Sequence, residues 1–327
     1  MGPTQRRLIA GCAASTLLAF GAAAQAGPPE SDDPILIVQN NWTSQIVLAE
    51  VAGEILKSVG YNIEYKPSDT QLQYTAMGNG DMHLQVEVWE GTMKTPFTKE
   101  VDAGRMIDAG SHAAKTREDW WYPSYLEEVC PGLPDWEALK EPACAEALAT
   151  PETSPNGRYL AGPVDWEKPD QERAEALGLP ISIVNAGQAS TLWAELSAAY
   201  ERKEPIMLFN WTPNWPEAKF DGKFVNFPEH DDACENDASW GVNPDLTYDC
   251  GNPTAGWLKK GVWSGLADKW PCAFDIIKNM DFTNAMIAEA SAKVDVDDMA
   301  ASDAAQSWLD ENGALVKQWI DTPACQS

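Results

Sequence analysis

The chain has 327 residues, with 50 acidic side chains against 23 basic ones, three His, seven Cys and 15 Trp. Its length allows two domains with buried cores, and a formal charge of −27 argues against nucleic acid, whose phosphates need clustered Lys and Arg. His83, His112 and His230 are too scattered for a His-rich metal site or a His-based catalytic centre, while the Trp count asks for more than core filling.

Residues 1–26 carry no acidic group. Arg6 and Arg7 precede an apolar run from Leu8 to Ala24, and Ala24-Gln25-Ala26 supplies small residues for cleavage after Ala26. These are the three parts of a secretory signal peptide, which predicts an exported, periplasmic protein. Ile9-Ala10-Gly11-Cys12 is a weak lipoprotein box, because almost no apolar stretch precedes Cys12. The mature chain then keeps Cys130, Cys144, Cys234, Cys250, Cys272 and Cys325. An even number in an exported protein reads as disulfides. Short loops favour Cys130–Cys144 and Cys234–Cys250, which leaves Cys272–Cys325 to tie down the tail.

The mature chain alternates strand and helix signals. Pro34–Gln39 reads as a buried strand, and a helix starts at Thr43 or Ser44. Its apolar positions Leu48, Val51, Ala52, Ile55, Leu56 and Val59 recur at helical spacing, and Gly60 ends it. A strand near Tyr61–Tyr65, a helix from about Thr70 and an alternating strand over Met82–Trp89 follow. Past a Trp/Pro-rich stretch (Trp120 to Pro151), strands are expected at Tyr159–Ala161, Ile181–Val184 and Ile206–Phe209, with a helix over Gly187–Arg202. Leu266 to Ile320 is mostly helical in pattern. This order predicts an α/β fold of two lobes with a parallel-rich sheet and a cleft between them. Residues 27–112 and 255–327 would form lobe 1, and 113–254 lobe 2.

Three tryptophans sit at strand–helix junctions: Trp42 in Asn40-Asn41-Trp42-Thr43, Trp89 in Val88-Trp89-Glu90-Gly91, and Trp211 in Asn210-Trp211-Thr212-Pro213. Thr212 suits an N-cap and Pro213 a first helical turn. Open α/β sheets bind ligands at the carboxyl ends of their strands, so these indoles can converge on one cleft, with Trp120 or Trp121 as a fourth wall. Several Trp faces around a small volume suit a cation whose charge is spread over methyl groups. Sugar stacking is the competing use.

These segments carry a family resemblance. NNWTSQIVLAEVAGEILKSVGY, VEVWEGT, DWWYPSY and above all FNWTPNWPEAKF are similar to segments of the periplasmic substrate-binding proteins of glycine betaine/choline/proline betaine ABC transporters, a family of binders of quaternary and methylated amines that includes trimethylamine N-oxide. The resemblance implies a bilobed periplasmic-binding-protein fold of type II. It also implies a cage of Trp42, Trp89 and Trp211 around a trimethylammonium group, a small methylated-amine ligand and a membrane permease as partner. A monomer without cofactor or catalytic activity is expected. No Lys or Arg abuts the three boxes, whereas Glu90 follows Trp89; a carboxylate there favours choline or protonated trimethylamine N-oxide over betaine or carnitine.

Elsewhere, acidic residues crowd residues 229–249. Asp231, Asp232 and Glu235 are calcium candidates by oxygen content alone, since no DxDxDG spacing occurs. No GxSxG, GxGxxG, P-loop or HExxH motif is present. A secreted carbohydrate-active enzyme or sugar-binding protein with Trp platforms is the alternative reading.

Overall fold

The computed structural model describes residues 27–326 and, apart from them, Gly2. The expected signal peptide, its cleavage site and Cys12 lie outside the described residues. The chain opens with strand β1 (Ile35–Gln39), whose Ile35, Ile37 and Val38 are fully buried, and helix α1 (Thr43–Val59), which buries the predicted apolar stripe. Gly60 adopts φ 109°, and its N–H turns back to the carbonyls of Leu56 and Lys57, so a residue free to enter the left-handed region closes the helix.

Strand β2 (Ile63–Pro67) and helix α2 (Gln73–Asn79) begin later than the sequence pattern suggests. Asp69 Oδ1 accepts the backbone N–H groups of Gln71 and Leu72, so a side-chain-capped turn occupies the expected first residues of the helix. Strand β3 (Leu84–Trp89) is buried at all six positions, and helix α3 (Glu90–Asp102) follows without a loop.

Strand β4 (Met106–Pro123) was not legible in the sequence. Its inward positions from Ala109 to Thr116 are small or polar, including the buried His112, so it lacks the apolar alternation that marks a strand. The chain continues through β5 (Pro131–Pro134), α4 (Pro142–Leu148), β6 (Gly157–Ala161), α5 (Asp170–Ala176), β7 (Ile181–Asn185), α6 (Ala189–Arg202), β8 (Leu208–Thr212), β9 (Gly222–Phe224) and β10 (Gly256–Trp263). Trp211 and Thr212 therefore belong to a strand, and the next helix starts only at Pro216, so Thr212 is not the N-cap its sequence suggests.

The strand order is β2-β1-β3-β10-β4-β8-β6-β7, with β9 on β4. Each end is parallel (β2, β1 and β3 at one, β8, β6 and β7 at the other), whereas β10 and β4 run antiparallel to their neighbours, so the sheet is mixed rather than parallel-rich. Strand β4 changes partners midway: residues up to Thr116 pair with β10, and those from Arg117 pair with β8 and then β9. One continuous strand thus crosses between two α/β lobes. Helices Asn284–Asp295 and Ala301–Glu311 pack on α1, returning the C-terminal part of the chain to the first lobe.

Three disulfides, Cys130–Cys144, Cys234–Cys250 and Cys272–Cys325, staple the fold. The last spans 53 residues, and in the chain-entropy description a loop of that size adds about 4 kcal/mol by restricting the unfolded chain. Among the described residues no helix is long and apolar enough to cross a membrane.

Candidate ligand-binding site

The carboxyl ends of the parallel strands of both lobes face one another, and each end delivers tryptophans. In the first lobe Trp42 caps α1 just beyond β1, and Trp89 is the last residue of β3. In the second, Trp166 ends a short turn of helix after β6, and Trp211 lies on β8. All four are at most 5 % exposed. They surround a small cavity, whose lining is completed by Thr70, Thr92, Met93, Phe209 and Glu118. Trp166 meets Trp42 edge-on with centroids 6.0 Å apart and Trp211 edge-on at 5.4 Å, so one indole of the second lobe closes against one of the first.

Trp42, Trp89 and Trp211 are thus brought together, and the fourth indole is Trp166 rather than Trp120 or Trp121. Trp120 stacks on Tyr159 at 4.1 Å and donates its indole N–H to Asp170 at 2.6 Å, deep inside the second lobe. Trp121 is equally buried, packed against Gly222, where a side chain would collide with its ring. Both faces of β4 are covered here, so these two consecutive indoles, which point to opposite sides of the strand, are both buried. Trp166 was open to the rule that found the others, since it lies five residues past the predicted strand ending at Ala161.

Glu90 does not line the cavity: as the first residue of α3, it accepts the Trp257 backbone N–H through Oε2 at 2.9 Å. The carboxylate inside is Glu118, one residue beyond the point where β4 changes partners. Its Oε1 accepts the Thr92 hydroxyl, while Oε2 is buried without a hydrogen-bond partner. Lys168, itself buried, reaches Glu118 at 3.7 Å and is also engaged by Thr92 Oγ1 and the Gly91 carbonyl. A second acid, Glu87, lies behind the walls: its Oε2 accepts the indole N–H groups of Trp42 and Trp89 at 2.8 and 3.1 Å. Burial pushes this carboxyl up to about 7. Neither acid stood out in sequence, because 50 acidic residues give no way to tell which point inward.

Buried amides fix the first-lobe half of the site. Gln85 donates to Asn40 and Gln73, Gln45 donates to Gln85 and to the Val38 carbonyl, and Gln73 holds the carbonyl of Thr70. Each polar group so buried is satisfied, which locks the turns that carry Trp42 and Thr70. Between the lobes, Asp165 accepts from Asn41 and Thr70, Trp166 donates its indole N–H to Asn41 at 2.8 Å, and Trp215 donates to Asp295 at 2.8 Å. The cleft is shut over the cavity.

The acidic loop residues are occupied locally. Asp231 accepts the Ala233 N–H, and Asp232 pairs with Lys94 across the lobes and stands beside His230. Among the described residues no group of three or more His, Cys, Asp or Glu is placed to hold a metal ion.

Residues 33–311 match the family described as the substrate-binding domain of ABC-type glycine betaine transport systems. The chain belongs to this family. Its members are solute-binding proteins rather than enzymes, extracytoplasmic subunits that hand a small ligand to a membrane permease. The chain is 41 % identical over 293 residues to the trimethylamine N-oxide-binding protein of Pelagibacter ubique (strain HTCC1062), covering 88 % of this chain and 90 % of that one. In fold it is similar to the glycine betaine/L-proline-binding protein of Borrelia burgdorferi, with a TM-score of 0.71, 18 % identity, and 90 % and 99 % of the two chains covered. It is also similar to a choline-binding protein solved with choline, with a TM-score of 0.69, 17 % identity, and 89 % and 93 % covered. Membership in the family rather than the Trp content alone disfavours the carbohydrate-active reading.

Proposed function

We propose that the protein captures trimethylamine N-oxide in the four-Trp cavity and delivers it to an ABC importer. Trp42, Trp89, Trp166 and Trp211 give the methyl groups their π faces, each contact contributing roughly 0.5–2 kcal/mol. Glu118 is the observation that carries the choice of ligand. Its unpartnered Oε2 accepts a hydroxyl proton, as the protonated N-oxide offers, and repels a carboxylate. Glycine betaine and carnitine bring a carboxylate into the same small space and meet like charge, since the nearby Lys168 is already engaged by Glu118, Thr92 and the Gly91 carbonyl; choline has a hydroxyl but a longer arm. The 41 % identical relative, by name a trimethylamine N-oxide-binding protein, supports the same ranking.

In this reading the lobes are 27–112 with 255–327 and 113–254, and β4, which passes from β10 to β8 just after Thr116, is the hinge strand. Ligand in the cavity contacts both lobes and so favours the closed form, which the permease then engages. The protein acts as a periplasmic monomer without catalysis, after removal of the signal at Ala26. Calorimetric titration with trimethylamine N-oxide, choline, glycine betaine and carnitine tests the reading. The N-oxide should bind tightest, and E118Q should cost it at least tenfold while sparing glycine betaine. Tighter binding of either carboxylate ligand by the wild type would overturn the assignment.

A further inference from the structure

Glu87 is outside the cavity yet touches two of its walls. Besides the two indole N–H groups, its Oε2 accepts the Ser44 hydroxyl at 3.0 Å, and the residue is fully buried. Its Oε1 is buried with no partner. A neutral carbonyl would accept the same three bonds without bringing a charge out of water, so holding the indoles does not account for a carboxylate at this position.

Among the described residues no cation pairs with it. On the elements around β3, Glu50 of α1 accepts from Gln39, and Glu90 of α3 is held by the Trp257 N–H. Lys259 of β10 pairs with Asp108, and Lys260 donates to the Met280 carbonyl. Asp295 holds Thr43 and Trp215, and Glu118 belongs to the cavity lining. His112 on β4 faces the Val86 carbonyl through Nε2 at 2.9 Å and is neutral. What remains is the cavity itself, separated from the carboxylate by the rings of Trp42 and Trp89.

We propose that Glu87 is a positioning and charge-balancing residue of the ligand site, whose counter-ion is the cation bound across the two indoles, so that binding drives a proton off Glu87 into solvent. This rests on reading the cavity as a methylated-amine site. An anion hydrogen-bonded to the indole N–H groups also adds negative potential to the ring faces that meet the ligand. With its carboxyl raised to about 7, Glu87 is partly protonated in the empty protein at neutral pH. A cation favours the charged form, and by linkage deprotonation tightens binding to the same extent.

The test is titration of wild type and E87Q with trimethylamine N-oxide between pH 6 and 8, in buffers of different ionisation enthalpy. Any proton the ligand itself takes up is common to both proteins. The wild type should release more protons than E87Q, by a fraction of one that peaks below pH 7, midway between the midpoints of the empty and the loaded protein. Its affinity relative to that of E87Q should rise with pH, and at pH 8 E87Q should bind at least tenfold more weakly. Equal proton counts and parallel pH profiles in two proteins that both bind would refute the role of Glu87 and leave the ligand assignment standing. Absence of binding by the wild type would remove both. If E87Q fails to fold, S44A serves: it deletes one donor to the charged form and should move the affinity midpoint to higher pH. An unmoved midpoint refutes the proposal.

Discussion

Replacing Trp166 with Ala tests whether the second lobe contributes a wall that closes the cage. Two losses can be assigned. One indole face leaves a desolvated cavity, which is worth about 2 kcal/mol for a cation. The indole N–H that reaches Asn41 across the lobes at 2.8 Å also goes, a hydrogen bond worth about 1 kcal/mol. Together they predict a dissociation constant for trimethylamine N-oxide about 150-fold weaker, read by isothermal titration calorimetry at fixed pH. W166F restores a ring face but not the N–H and should recover most of the loss. W120A is the matching control: Trp120 sits in the second-lobe core against Tyr159, so its truncation should cost about 3–5 kcal/mol of stability and leave the folded protein's affinity near wild type. If W166A bound within about threefold of wild type, or W120A lost more affinity than W166A, the placement of the fourth wall would be wrong.

Two further outcomes follow from the surroundings of the site. Asp295 accepts from Thr43 at 2.7 Å on its own lobe and from Trp215 at 2.8 Å on the other. D295A should therefore weaken binding about fivefold, the value of one lost hydrogen bond, without touching the cage, and small-angle scattering should show a more open population. His112 uses both nitrogens in its neutral form: Nε2–H donates to the Val86 carbonyl, and Nδ1 accepts the Phe282 N–H. Burial holds its pKa at about 3, below the ordinary value of 6.5. The unfolded chain then takes up a proton below pH 6.5 that the folded protein refuses, so His112 contributes a loss of stability as pH falls from 6.5 towards 3. Glu87 acts in the opposite sense in the empty protein: its folded form keeps a proton that the unfolded chain loses between 4.5 and 7, so its contribution falls as pH rises through that window. In denaturant unfolding of H112N, the stability difference from wild type should shift in favour of the variant as pH drops from 6.5 to 4.5. A flat difference curve would show that the imidazole is not held neutral.

The sequence reads the first lobe well because its cues are local. Buried apolar runs mark β1 and β3, the 3.6-residue stripe and Gly60 mark α1, and Trp42 and Trp89 stand where strand passes to helix. The second lobe reads less well for equally physical reasons. Strand β4 hides behind polar and small inward residues such as His112, Ala114 and Thr116, whose burial depends on β10 and the C-terminal helices covering them. With β4 unrecognised, Trp120 and Trp121 looked like loop residues free to reach the cleft, when strand pairing with β8 and β9 commits them to the interior.

The elements up to β3, the helical pattern near the C-terminus and three of the four indoles around the cavity were legible in the sequence itself, because hydrophobic period, capping and the position of an aromatic at a strand end are properties of a few neighbouring residues. Which acid faces the cavity was decided only by the tertiary structure. Glu90 adjoins a cage Trp in sequence yet turns to the Trp257 N–H, whereas Glu118 and Glu87 reach the site because β4 crosses between the lobes and β3 lies under two indoles. Among so many carboxylates, burial and partner set the chemistry of each, and both are long-range properties that exist only after the two lobes have formed and closed.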